Sequence, residues 1–176
     1  MKILIELPTW LGDTVMVTPA IENILKHFNN AEISLIGSFV STELLKHHPK
    51  VKEVKVLDKR FLSLFSIAKK LGEFDNYFSF RSSFRSKIFK FFVLSSQKYQ
   101  FNKNEYKHLH QVQKYSNFVN DSLKINFKPG NLFLNNVIKT SEKNTTPIMG
   151  INPGGSYGSS KRWYPEKFAE VAIELS

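Results

Sequence analysis

The chain has 176 residues and a formal net charge of +10, from 25 basic and 15 acidic side chains. That length suits one domain, or one domain with part of another. It contains no cysteine, which excludes a disulfide framework, a thiolate nucleophile and a zinc–thiolate site. No apolar run approaches the ~20 residues of a membrane-spanning helix, and Met1–Leu7, which carries Glu6, is too short for a signal peptide.

Hydrophobic residues make up 41% of the chain, and 16 of its residues are Phe, enough for a core rich in aromatic rings. Lys2–Leu7 reads as a buried strand and Pro8–Asp13 as a loop containing Gly12. Val17, Ile21, Ile24, Leu25 and Phe28 recur at helical spacing and predict a helix over Thr14–Phe28. Pro19 lies inside that pattern and predicts a kink or a restart there, because its ring removes a helical donor. Glu32–Ile36 reads as a second strand, Ser41–His47 as a short helix ended before Pro49, and Val54–Leu57 as a third strand. A helix over Phe61–Leu71 stops at Gly72, and Asn76–Phe80 is the fourth strand. Ser83–Leu94 reads as a basic amphipathic helix with Phe84, Ile88, Phe91 and Phe92 on its apolar face. Core packing is the expectation for that face, a membrane-facing patch the alternative. Lys98–Phe101 is a fifth strand and His108–Leu123 a long helix.

Strands alternating with helices predict an α/β fold, a Rossmann-like parallel sheet with helices on both faces, over residues 1–125. The polar stretch 126–146 reads as a linker, with one short element around Leu132–Ile138. Residues 147–176 read as the start of a second domain: a short buried strand over Pro147–Ile151, a glycine-rich loop, and a helix over Pro165–Leu175. A helix after a single strand has no sheet to cover, so this second domain is expected to be cut short at Ser176. The alternative is that the helix packs back on the first domain as a cap.

Ligands of open α/β sheets bind beyond the carboxyl ends of the strands. The loops to watch are Pro8–Thr14, Ser79–Arg85 and Asn152–Arg162. The last runs Asn152-Pro153-Gly154-Gly155-Ser156-Tyr157-Gly158-Ser159-Ser160-Lys161-Arg162-Trp163. Its three glycines allow close backbone approach to a ligand. A loop entering a helix N-terminus presents N–H groups to an anion. Ser156, Ser159 and Ser160 add hydroxyl donors, and Lys161 adds a compact charge suited to phosphate. The other reading of Lys161 is a surface lysine before a buried Trp163. The first loop has one glycine, not the Gly-x-Gly-x-x-Gly of a dinucleotide site. In its place Asp13 stands at the mouth of a helix. It reads either as an N-cap or as a carboxylate that takes a proton from substrate, and the helix dipole favours its ionised form. The five histidines show no ligand spacing with carboxylates, and no Asp-x-Asp triplet occurs, so no metal site is expected. Positive charge concentrates between Lys59 and Lys114. Such a face suits a phosphorylated acceptor, an anionic membrane or nucleic acid, or is simply a solvated lysine surface.

Gly12-Asp13 after the first strand, Pro19 beyond it, Ser82-Ser83-Phe84-Arg85-Ser86 and the late Asn152–Trp163 segment together resemble the ADP-heptose:lipopolysaccharide heptosyltransferases of glycosyltransferase family 9. The late segment has the family's Pro-Gly-x-x-aromatic-Gly-x-x-Lys-Arg-Trp shape. The resemblance implies an inverting enzyme of two Rossmann-like domains facing across a cleft, the GT-B arrangement. Heptose would pass from ADP-L-glycero-D-manno-heptose to the heptose/Kdo inner core of a lipid A-linked acceptor. By the same resemblance Asp13 matches the catalytic base, and Lys161 the lysine that meets the donor diphosphate. Gly12, Ser156 and Tyr157 fall at donor-contact positions, although a small hydroxyl-bearing residue suits the last position better than tyrosine. Arg81, Arg85, Lys87, Lys59 and Arg60 are candidates for the acceptor's acidic groups. No cofactor beyond the donor substrate is implied. The setting implied is cytoplasmic, peripheral to the inner membrane, with no nucleic-acid partner. Family members are about twice this length, so the chain alone is expected to be inactive. Two readings compete: a non-catalytic basic module binding nucleic acid or an anionic membrane surface, and another sugar-nucleotide transferase of the same fold.

Overall fold

The computed structural model describes residues 1–57, 62–135, 149–155 and 158–175. The chain divides into two compact units, Met1–Val137 and Ile138–Ser176. In chain order the first unit contains β1 (Lys2–Glu6), α1 (Leu11–Met16), α2 (Thr18–His27), β2 (Glu32–Gly37), α3 (Phe39–Leu45) and β3 (Val51–Val56). It continues with α4 (Leu62–Leu71), β4 (Glu73–Ser79), α5 (Phe84–Phe92), β5 (Leu94–Gln100) and α6 (Gln111–Leu123).

The five strands form one parallel sheet in the order β3-β2-β1-β4-β5. Ile5 lies between Leu35 and Phe78 in register. Side chains alternate between the two faces of a strand. Ile3 and Ile5 therefore join Phe78, Phe80, Ile24 and Phe118 in the core on one face. Leu4 turns the other way, toward Tyr77, Leu64 and Phe89. Both faces are covered, which is why the central strands carry near-continuous apolar runs. The aromatic content predicted a core of rings. Phe118 meets Phe80 and Phe101 edge-on, at centroid distances of 5.5 and 5.7 Å, a favoured geometry for such pairs.

The chain winds outward from β1 through β2 to β3, then crosses to β4 on the other side of β1. The loops after β1 and β4 thus diverge at a topological switch point, where open sheets place ligands.

Around Pro19 the helix restarts, one of the two outcomes expected there. α1 ends at Met16, and α2 begins at Thr18 with the proline in its first turn, where a missing N–H goes unused. Several other elements differ from expectation. β4 and β5 both begin earlier than their apolar content suggested, because their ladder extends down to the pair Glu73–Leu94. The buried face of α5 is Ser86 and Phe89, not the four residues expected. Ile88 and Phe92 only flank the core, while Phe84 and Phe91 are 75% and 81% exposed. Residues 126–135, expected to begin a linker, are held on the first unit. Asn120 exchanges two side-chain hydrogen bonds with the Phe127 backbone (2.9 and 3.2 Å), and the Phe133 N–H donates to Thr18 Oγ1 at 3.0 Å.

The described residues of the second unit include a 3-10 turn (Ser159–Lys161) and α7 (Pro165–Glu174), which buries none of its residues. A strand was expected over Pro147–Ile151. Pro147 and Ile148 lie outside the described residues, and 149–151 form no strand. A strand needs a ladder partner, and the described residues of this unit supply none.

Candidate active site

The loop after β1 is tied down from beneath. The Leu7 N–H donates to the Ile36 carbonyl at 2.8 Å. Ser38 caps α3 by accepting from the Ser41 N–H, and its hydroxyl donates to the Thr9 carbonyl at 3.0 Å. The Ser41 hydroxyl donates to the Pro8 carbonyl, and that of Thr14 to the Trp10 carbonyl at 2.9 Å. Loop carbonyls that would otherwise need water are satisfied by short side chains. The Trp10 indole is left 72% exposed.

Asp13 is not the N-cap. α1 starts at Leu11, Trp10 occupies the cap, and Asp13 sits in the first turn. Its carboxyl is half-buried, and that desolvation raises its pKa above the ordinary 3.8. The dipole of a six-residue helix was expected to favour the ion; loss of water outweighs it.

Asp13 opens into a pocket of about 330 Å³ at the switch point. Trp10, Arg81, Lys103, Lys114 and Tyr115 also line it. Three cations around one carboxylate make a positive concavity, which concentrates anionic ligands. Burial first, and the Asp13 charge second, push the Tyr115 phenol far up, against a smaller opposing effect of its hydrogen bond with Gln111. Tyr115 therefore stays protonated beside Asp13.

Below the pocket lies a polar cluster that the sequence reading missed. Glu6 ends β1 and is 1% exposed. Its Oε2 accepts from the hydroxyls of Tyr77 (2.6 Å), Ser79 (2.6 Å) and Ser86. Arg81 Nη1 stands 3.7 Å from Oε1. Burial and the Glu6 charge keep the Tyr77 phenol protonated. A buried carboxylate persists only with such partners.

In the second unit the late loop is shaped by local bonds. The Gly154 N–H donates to Asn152 Oδ1 at 3.1 Å, and Arg162 Nε donates to the Gly155 carbonyl at 2.7 Å. Gly158 has φ +77°, a conformation open to glycine and strained for other residues. The Trp163 and Phe168 rings meet at 5.4 Å. Together with Arg162, Tyr164 and Ile151 they line a hollow of about 590 Å³.

The structure thus brings Asp13 and Arg81 together, and adds Trp10, Lys103, Lys114 and Tyr115. Gly12 is in α1, where an added Cβ would meet nothing within 4 Å. Arg85 and Lys87 are on α5 and do not belong to the pocket lining. The Lys161 backbone closes the 3-10 turn; its side chain lies outside the described part, as do Lys59, Arg60, Ser156 and Tyr157. Lys103 had a signal: it lies in the loop after the fifth strand, so the rule that selected the other loops applied to it too, whereas Lys114 reaches the pocket from the first turn of α6.

No family model matches the chain. Its whole length is 45% identical, over 182 residues, to a Campylobacter jejuni (serotype O:2) protein named lipooligosaccharide heptosyltransferase 2, of which it covers 57%. The fold is that of a glycosyl transferase family 9 protein from Veillonella parvula, with a TM-score of 0.79 and 18% identity over 99% of this chain and 59% of that one. It is also that of E. coli ADP-heptose lps heptosyltransferase II, with a TM-score of 0.74 and 21% identity over 99% and 61%. This chain therefore spans about 57% of the curated relative it matches. Over its entire length it is homologous to lipooligosaccharide heptosyltransferases, in the fold of glycosyltransferase family 9.

Proposed function

We propose that a protein carrying this sequence is an inverting heptosyltransferase. It moves heptose from ADP-L-glycero-D-manno-heptose to the heptose/Kdo inner core of a lipid A-linked acceptor. One observation carries the reading: a half-buried Asp13 faces a pocket at the switch point ringed by Arg81, Lys103 and Lys114.

In this reaction the bond from the heptose anomeric carbon to ADP breaks as an acceptor oxygen bonds to the opposite face. The acceptor hydroxyl proton goes to Asp13. A carboxylate with a raised pKa is a stronger base than an ordinary one, and such a base contributes roughly 10²–10⁴-fold in rate. The protonated Tyr115 keeps a second negative charge away from Asp13 as the acceptor oxygen is deprotonated. Arg81, Lys103 and Lys114 hold the acceptor's acidic groups, Arg81 with a planar fork that takes two oxygens. Lys59 and Arg60 have the same proposed task. Lys161 and the loop N–H groups, with Gly12, Ser156 and Tyr157, are assigned to the donor and its departing diphosphate. The displacement involves no redox change and calls for no cofactor besides the donor.

The acceptor is a lipid, and α4 and α5 suit contact with a membrane surface at the cytoplasmic face. Lys69, Lys70, Arg85, Lys87 and Lys90 lie on these two helices, which carry no acidic residue. Phe65, Phe84 and Phe91 are exposed among them. Rings with lysines between them bind anionic headgroups. Among the described residues no helix is long and apolar enough to cross a membrane.

The test is a transfer assay on a protein carrying this sequence at its relatives' full length, with heptose–Kdo–lipid A and a panel of sugar nucleotides. The expected result is addition of one heptosyl residue from ADP-heptose with inverted anomeric configuration. Transfer from a different donor, retention of configuration, or no transfer contradicts the reading. Flotation with phosphatidylglycerol vesicles tests the surface: binding should exceed that to phosphatidylcholine and fall in F84S/F91S.

A further inference from the structure

The Glu6 cluster lies behind the pocket. Leu4, Glu6, Tyr77 and Ser79 share the α5 face of the sheet, and Ser86 reaches them from α5. Three hydroxyls donate to one carboxylate oxygen, Oε2. A hydroxyl has one proton, so a serine that gives it to Glu6 can only accept at its other contacts. Gln100 is placed to donate there: its Nε2, with two protons, lies within hydrogen-bond reach of Ser79 Oγ (3.1 Å), Ser86 Oγ (3.2 Å) and the Arg81 carbonyl. The Arg81 N–H returns to Ser79 Oγ at 3.3 Å. Arg81 is thus held at its backbone by Ser79 and Gln100, and Glu6 Oε1 faces its guanidinium from below. Above, the same arginine lines the pocket with Asp13.

Resting on the proposed acceptor role of that pocket, we infer that Glu6 is a positioning residue. Its buried carboxylate holds the Arg81 guanidinium in the orientation that receives an oxyanion of the acceptor, a carboxylate or phosphate. A free arginine side chain has many rotamers to lose on binding, and a preset one does not lose them. Glu6 itself touches no substrate.

The sign of the effect separates this role from its rivals. Removal of a negative charge behind a cationic pocket would, by field alone, strengthen anion binding. Loss of orientation weakens it. A purely structural role lowers the melting temperature and leaves the Michaelis constants alone. In the full-length protein, Glu6→Gln should raise the acceptor KM about tenfold, with kcat and the donor KM within twofold. In an Arg81→Ala background the same change should shift the acceptor KM less than twofold. Where Glu6→Gln is too unstable to assay, Glu6→Asp, which withdraws the charge by one methylene, should raise the acceptor KM at least threefold. A lowered acceptor KM, a melting change alone, or effects of Glu6→Gln and Arg81→Ala that simply multiply would overturn the inference. An Arg81→Ala variant with an unchanged acceptor KM would overturn the acceptor reading of the pocket itself, and Glu6's role with it.

Discussion

The two loops assigned to chemistry are built in different ways. The Asp13 loop stands on a sheet whose central strands are largely buried, and α3 side chains and the Glu6 cluster tie its surroundings from below. The Gly154–Trp163 loop is shaped by its own short-range bonds, from Asn152, Arg162 and a left-handed Gly158, and leads into a helix with no buried residue. A carboxylate that must take one proton needs a fixed, partly dry setting. Groups that cradle a diphosphate need mainly backbone N–H groups and room, which turn chemistry provides.

That contrast can be broken by stability measurements. Phe78 is fully buried in the first unit; Phe78→Ala should cost about 3–5 kcal/mol in denaturant unfolding. Phe168 in α7 is half-exposed, and Phe168→Ala should cost less than about 1 kcal/mol. Equal costs would mean that the two regions are packed alike.

Ligand binding sharpens it. Lys161→Ala should weaken ADP-heptose binding about ten- to a hundredfold by calorimetry, the scale of one charged hydrogen bond, and leave the acceptor KM unchanged. Lys114→Ala should do the reverse, raising the acceptor KM severalfold with donor affinity intact. Exchange of these two phenotypes would reverse the assignment of the loops.

The smallest effect concerns pH. The Asp13 carboxyl is harder to ionise in the folded chain than in the unfolded one. Its contribution to stability is therefore fully present below the unfolded value near 3.8 and lost as pH rises through the higher folded value. Asp13→Asn should melt slightly higher than the parent near pH 7, and the difference should vanish near pH 3. A lower melting point at neutral pH would mean that the charge is stabilised rather than strained.

Much of the fold was legible because period and punctuation are local. The strands at Lys2, Glu32 and Asn76 and the restart at Pro19 announce themselves in a few residues. What was not legible depends on partners far away in sequence. Glu6 looked like the polar end of a strand, and its role needs Tyr77, Ser79 and Ser86, more than 70 positions on. A charge ending an apolar run in a parallel strand was the available hint. The α5 face was misread for a related reason: four aromatic or aliphatic residues on a helix do not reveal which arc meets the sheet. Asp13 stood out by its place after the first strand, but its burial, and hence its raised pKa, came from the pocket walls.

The central claim is that Asp13 takes the acceptor's proton. Its most direct test is single-turnover transfer by Asp13→Asn in the full-length protein, with donor affinity measured alongside. The account predicts a fall of roughly 10²–10⁴-fold in the transfer step, with ADP-heptose affinity within twofold. Transfer at the parent's rate, or a loss traced wholly to weaker donor binding, would contradict it.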